Sequence, residues 1–212
     1  MIPQINRFSH VFPDPSQTSK EGLVAWGGDL NPNRIMAAYL KGIFPWYNEN
    51  DPILWWSPDP RLILYPQDIK ISKSLKRSMK SYEIRINTNF EAVIRKCQEV
   101  RLGEDGGTWI LEEIIEAYME LHELGFAKSF ETYYQGELVG GLYGIDLGSV
   151  FCGESMFQIR SDASKAALVH LSNYCLENQY NCIDCQVPSD HLKSMGAIEI
   201  NRDDFFKLLP SL

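Results

Sequence analysis

The stretch AKSFETYYQGELVGGLYGIDLGSVFCGESMF, residues 127–157, decides the fold class. Two extended runs, AKSFETYYQ and ELVGGLYGID, meet at Gly136, and a further turn at Leu147-Gly148 leads into SVFCGESMF. Glycine adopts positive φ without steric cost, so it marks the points where the chain folds back. The reading is three antiparallel strands in chain order. Before them, TWILEEIIEAYMELHELG repeats Ile110, Ile114, Ala117, Tyr118, Leu121 and Leu124 at helical spacing, and Gly125 caps its end. After them comes SDASKAALVHLSNYCLENQ, a second helix, then CIDCQV, a short apolar strand, SDHLKSMG, a short helix, and EINRDDFFKLL.

Further toward the N-terminus, KISKSLKRSMKSY is a helix with Ser72 as N-cap, YEIRINT a strand, NFEAVIRKCQEV an amphipathic helix and GEDGG a polar loop. Strands and helices mixed in this order predict an α+β fold. NPNRIMAAYLKGIF predicts a short helix capped by Asn31 or Asn33 and running to about Leu40. A strand is expected over Leu62 to Tyr65. We place a domain boundary there, giving a small N-terminal domain over residues 1–62 and a larger one over 63–212.

At 212 residues, 44% hydrophobic, the chain has ample material for a core. It has no apolar run of about 18 residues, so no membrane span is expected. Five cysteines without small-scaffold spacing predict reduced thiols in a cytoplasmic compartment. A net charge of −8 argues against nucleic-acid binding by the whole surface and leaves room for a local basic patch. Lys73, Lys76, Arg77 and Lys80 supply one: they fall at i, i+3, i+4 and i+7 of a helix, with no acidic residue from Ile71 to Ser81. Such a face suits phosphate contact, and a solvated helix face is the plain alternative.

FPWYNENDPILWWSPDPR, residues 44–61, holds three of the five tryptophans and four of the eleven prolines. Proline removes a backbone donor and fixes φ, so an irregular, stiff segment is expected. Trp55 and Trp56 are expected to pack inward and Trp46 to face a surface, where a flat ligand can stack. In FCGESMF, Glu154 stands among apolar and small residues. Burial there is costly unless the carboxylate meets a cation or backbone donors. In CIDCQV, Asp184 and Gln186 alternate along the strand and share a face, opposite Ile183 and Cys185. Two polar groups so placed suit orienting and deprotonating a nucleophile. Cys182 and Cys185 have C-x-x-C spacing without a second ligand pair, so no metal site is expected. The four histidines lie far apart and read as surface or capping residues, and no Walker, dinucleotide or nucleophile-elbow motif occurs.

GLVAWGGDL, GIFPWY, DPILWWSPDPR, GTWI, LHELG, LVGGLYG, FCGESMF, ASKAAL and IDCQV together resemble the leucyl/phenylalanyl-tRNA–protein transferase family over nearly the whole chain. The resemblance implies an acetyltransferase-like larger domain of the type found in peptidoglycan aminoacyltransferases, a monomer, and no cofactor. It implies transfer of Leu, Phe and less readily Met from aminoacyl-tRNA to proteins beginning with Arg or Lys, which marks them for N-degron proteolysis. By motif, Trp46 and Trp109 would hold the terminal adenosine, and Leu142, Phe151 and Leu168 the amino-acid side chain. Gly153 and Glu154 would bind the aminoacyl end. Asp184 and Gln186 would act on the acceptor amine, and Lys73, Lys76, Arg77 and Lys80 would contact the tRNA. Cys175 stands where a larger apolar residue is expected near the side-chain pocket. An acyl-CoA enzyme would need a glycine-rich pyrophosphate loop, but the corresponding QIRSDASKAAL has no glycine. A non-catalytic RNA-binding module would leave Glu154, Asp184 and Gln186 without a task.

Overall fold

The computed structural model describes residues 2–102 and 108–210; the GEDGG loop lies outside the described residues. The first sheet is built from β1 (Gln4–Ile5), β2 (Leu23–Gly27), β3 (Phe44–Pro45) and β4 (Leu54–Trp56), in the order β1-β2-β4-β3. Between its strands runs α1 (Pro32–Tyr39), with the Asn31 side chain accepting from the backbone N–H of Asn33. The proline-rich segment is therefore more regular than its composition suggests. Pro45 pairs opposite Trp55, yet β3 is an edge strand, where a missing donor is tolerated.

The second sheet begins at β5 (Arg61–Leu64) and continues with β6 (Glu83–Ile86), β7 (Ala127–Tyr134), β8 (Glu137–Asp146), β9 (Val150–Gln158), β10 (Cys182–Gln186) and β11 (Ile198–Ile200). Its order is β11-β5-β10-β9-β8-β7-β6. The antiparallel run β7-β8-β9 expected from the sequence forms its centre. Gln135 and Gly136 both have positive φ, 52° and 85°, as a two-residue type I′ hairpin requires.

Helices cover both faces, which gives the mixed α+β architecture. α3 (Phe90–Leu102) and α4 (Glu112–Glu123) lie on one, and α2 (Lys73–Met79) and α5 (Ala163–Glu177) on the other; α6 (Asp190–Ser194) and α7 (Arg202–Phe206) complete the chain. α4 starts later than its periodicity suggests: Leu111 is the N-cap, so Trp109 lies in the approach to the helix. Its end follows the expected motif, with Gly125 N–H donating to His122 and Phe126 N–H to Leu121.

The core has two parts. Val93, Ile94 and Cys97 of α3 and Ile114, Tyr118 and Leu121 of α4 pack with Tyr143 and Ile145, and the cluster continues through Tyr39 and Trp55 into the first sheet. On the opposite face, Leu75 of α2 and Ala167, Leu168, Leu171 and Cys175 of α5 pack on Phe130, Leu142 and Phe151. Cys182 belongs to the first cluster and Cys185 to the second, so the C-x-x-C pair straddles β10.

Candidate active site

Two irregularities in the sheet create the site. β9 and β10 pair in parallel only as far as Cys152 and Asp184, although β9 runs on to Gln158. Beyond that point, β9 bulges against β8: Tyr143 pairs with Ser155 and Gly144 with Gly153, which leaves Glu154 as the extra residue. Gly144 is required here, because a Cβ on it would lie 2.1 Å from the Cys152 carbonyl oxygen. β10 bulges against β5 in the same way, with Asp184 opposite Ile63 and Gln186 opposite Leu62. Gln186 itself takes φ +57°. Bulges redirect side chains out of the pleat, and these two aim Glu154 and Gln186 at each other.

A cavity of about 480 Å³ opens at this divergence. Leu142, Met156, Leu168, Leu171 and Ile183 give it apolar walls, Glu154, Gln186 and Ser155 supply polar groups, and Trp46 and Trp109 stand at it. The Trp46 ring is 45% exposed and meets Trp56 edge-on at 6.0 Å. Its backbone is clamped on both sides: Trp46 N–H donates to the Leu54 carbonyl at 3.0 Å, and Trp56 Nε1–H to the Trp46 carbonyl at 2.7 Å. The loop is thus fixed while the ring stays available. Trp55 is fully buried, as expected, whereas Trp56 is only partly buried because it serves as that clamp.

Glu154 accepts from the Tyr118 hydroxyl at 3.2 Å and from Gln186 Nε2 at 3.3 Å. Tyr118 in turn lies 2.6 Å from the Tyr39 hydroxyl. Burial raises the Glu154 carboxyl to about 7, with nearby Asp184 adding to the rise and the tyrosine hydroxyls opposing it. Burial and the facing carboxylate push both tyrosines well above their usual range, so they stay protonated donors.

Three sequence-based placements need correction. Asp184 does not line the cavity. Its carboxylate is fully buried and gripped at both oxygens by Arg61, at 2.8 and 2.7 Å, and it also accepts the Gln186 backbone N–H at 3.0 Å. The Arg61 guanidinium is in turn held over the Phe44 and Phe205 rings at 5.0 and 4.6 Å. Ile183 and Cys185 are not turned away from the site, since the cavity opens at the strand end and reaches both. Phe151 is fully buried edge-on to Phe130 and is absent from the lining, so it backs the apolar wall from behind.

Trp46, Trp109, Leu142, Gly153, Glu154, Leu168 and Gln186 all line the cavity. A Cβ on Gly153 would find only the Asp184 carbonyl oxygen at 3.7 Å, so packing does not demand a glycine there. Cys175 is buried in the same core cluster but outside the lining, so its small size does not widen the cavity. Lys73, Lys76, Arg77 and Lys80 lie apart from the cavity, all exposed on or just after α2 and without an ion pair among the described residues. Sequence alone does not point to Tyr39, Tyr118, Arg61 and Arg101, which the structure brings to the site. His191, expected at the surface or as a cap, instead lines the cavity with Arg101. No local pattern marks the tyrosine or arginine partners, because they come from segments far away in the chain.

A cavity that joins apolar walls to a carboxylate–amide pair suits a group-transfer enzyme that takes an apolar acyl group from a carrier. Comparison with known proteins gives the particular family. Residues 63–210 match the model described as leucyl/phenylalanyl-tRNA protein transferase, and residues 28–59 match the N-terminal domain of the same family. The leucyl/phenylalanyl-tRNA–protein transferase of Sulfurimonas denitrificans is 53% identical over 99% of this chain and 92% of its own. That of Flavobacterium johnsoniae is 50% identical over 94% of this chain and 95% of its own. The chain belongs to the leucyl/phenylalanyl-tRNA protein transferase family and is an aminoacyltransferase. Among solved structures, an aminoglycoside acetyltransferase from an uncultured soil sample aligns with 54% of this chain and 84% of its own, at TM-score 0.42 and 14% identity.

Proposed function

We propose that this chain moves Leu, Phe and less readily Met from aminoacyl-tRNA to the α-amine of proteins that begin with Arg or Lys, marking them for N-degron proteolysis. One cavity supports the reading: its lining brings apolar side chains, the Glu154–Gln186 pair and two tryptophans together. Leu142, Leu168, Leu171 and Ile183 receive the amino-acid side chain. Trp46 and Trp109 hold the terminal adenosine, and a ring on a clamped backbone loses little freedom when a base stacks on it. Lys73, Lys76, Arg77 and Lys80 meet the tRNA backbone. Gln186 orients the incoming amine, with Asp184 and Arg61 fixing its backbone from behind. Gly153 and Glu154 face the aminoacyl ester. Such esters are already activated, so orientation supplies a large part of the acceleration.

The enzyme works as a monomer in a reducing cytoplasm, which its five free, buried cysteines suit. No helix among the described residues is long and apolar enough to cross a membrane. The test uses labelled Phe-, Leu- and Ile-tRNA with two peptides that differ only in an N-terminal Arg or Ala. Label is expected to move from Phe- and Leu-tRNA to the Arg peptide without added cofactor. Equal use of Ile-tRNA would remove the side-chain pocket reading, and equal labelling of the Ala peptide would remove the acceptor rule.

A further inference from the structure

Amide formation releases a proton from the attacking amine, and the Gln186 side chain, an amide, cannot take it. Asp184 has both oxygens on Arg61 and lies outside the cavity. We propose that Glu154 is the proton carrier of the reaction: its carboxylate takes the proton from the acceptor amine and returns it to the departing ribose oxygen. This inference rests on the aminoacyl-transfer reading above.

The step balances. The amine nitrogen forms a bond to the ester carbonyl carbon and passes one proton to Glu154. The carbon–oxygen ester bond then breaks, and the ribose oxygen leaves with that same proton. The carboxylate is regenerated, and no co-reactant is consumed.

Geometry singles out this carboxylate. The β9 bulge turns it into the cavity beside Gln186, and Tyr118 and Gln186 each donate to a different oxygen. Those donors are neutral, so they orient the group without locking it as an ion, unlike the Arg61 clamp on Asp184. A carrier that must both accept and donate works best when its pKa lies near the working pH, and Glu154 at about 7 meets that condition. The groups around it are Tyr39 from α1, Tyr118 from α4, Tyr143 from β8, Cys152 from β9, Asp184 from β10 and Arg61 from β5. Asp184 raises the value, and Arg61, Tyr39 and Tyr118 lower it. Arg101 and His191 line the same cavity. His191 is the rival carrier, with an imidazole held below its usual range by burial and by Lys165.

The test is the single-turnover rate of Phe transfer from saturating Phe-tRNA to an Arg peptide between pH 5.5 and 9. In the wild type, two groups must be deprotonated, the acceptor amine and Glu154, so the logarithm of the rate falls with a slope approaching 2 at the acid end. Glu154→Gln is expected to slow the step about 10²- to 10⁴-fold, the usual weight of general acid–base catalysis. It should reduce the slope to 1 and leave the Kd for Phe-tRNA within about threefold. Tyr118→Phe removes a donor that favours the ionised form, so the Glu154 limb should move to higher pH. His191→Gln should keep the slope of 2, whatever it does to the absolute rate. The proposal is overturned if Glu154→Gln keeps the slope of 2, if its defect lies wholly in Phe-tRNA affinity, or if His191→Gln is the variant that loses a limb. A wild type that moves no label at any pH would instead refute the transfer reading itself.

Discussion

Replacing Asp184 by alanine separates a structural role from a chemical one, and the structure predicts mainly the former. The substitution strips both charge-assisted hydrogen bonds from Arg61, whose side chain is 1% exposed, and removes the acceptor of the Gln186 N–H. Breaking a buried pair from one side leaves an uncompensated charge and costs about 3–5 kcal/mol. For a chain of this size that lowers the melting temperature by about 6–20 °C. The orphaned Gln186 N–H adds to the cost without being strictly additive, because it shares the same carboxylate. Thermal unfolding by circular dichroism reads the loss. Replacing both partners, Arg61→Met with Asp184→Leu, should recover part of it, since apolar groups of similar volume need no counter-ion. At temperatures where Asp184→Ala is still folded, transfer should fall because the Gln186 bulge has lost its anchor. An Asp184→Ala protein that melts within 2 °C of wild type yet transfers no label would refute this reasoning and return Asp184 to the chemistry.

Other outcomes follow from the same structure. Trp46→Ala should weaken Phe-tRNA binding about 5- to 150-fold, the worth of one stacked base, with little change in melting temperature because the ring is 45% exposed. Filter binding and thermal unfolding check the two halves. Leu168→Phe narrows the apolar chamber and should shift the Leu-over-Phe ratio of kcat/KM by about tenfold, measured by competing the two aminoacyl-tRNAs. Converting Lys76 and Arg77 to Gln should reduce the salt dependence of tRNA binding, the slope of log K against log salt, by about 1.4–1.8. Glu154→Gln should raise the melting temperature at pH 8 but not at pH 4.5. The folded state holds the Glu154 proton to about 7, above the usual carboxyl range, so ionisation between those values works against folding. A neutral amide removes that cost only where the wild type is ionised.

Much of this architecture was legible in the chain because its signals are local. Gly136 and Gly125 stand where positive φ is needed, Asn31 and Ser72 cap the helices they precede, and the β7–β9 run shows its turns. Trp46, Glu154 and Gln186 were visible as residue types out of keeping with their surroundings. The Arg61–Asp184 clamp and the Tyr39–Tyr118–Glu154 chain were not, since their members lie 123, 79 and 36 residues apart and nothing local marks one for the other. Strict alternation along CIDCQV misplaced Asp184, Ile183 and Cys185 because it assumes an unbroken pleat, and the bulge between Asp184 and Gln186 breaks it. Likewise, the irregular segment expected from the four prolines contains a short strand, because β3 lies at a sheet edge where Pro45 needs no ladder donor.

One cavity is proposed to hold the aminoacyl end while two tryptophans hold the nucleoside. The most direct test is a crystal structure with a non-hydrolysable 3′-(phenylalanylamino)adenosine. The phenyl ring is expected against Leu142 and Leu168, the adenine ring on Trp46 and Trp109, and the linking amide within hydrogen-bonding reach of Glu154 or Gln186. Density for the phenyl ring outside the cavity, or an adenine that touches neither tryptophan, would contradict it.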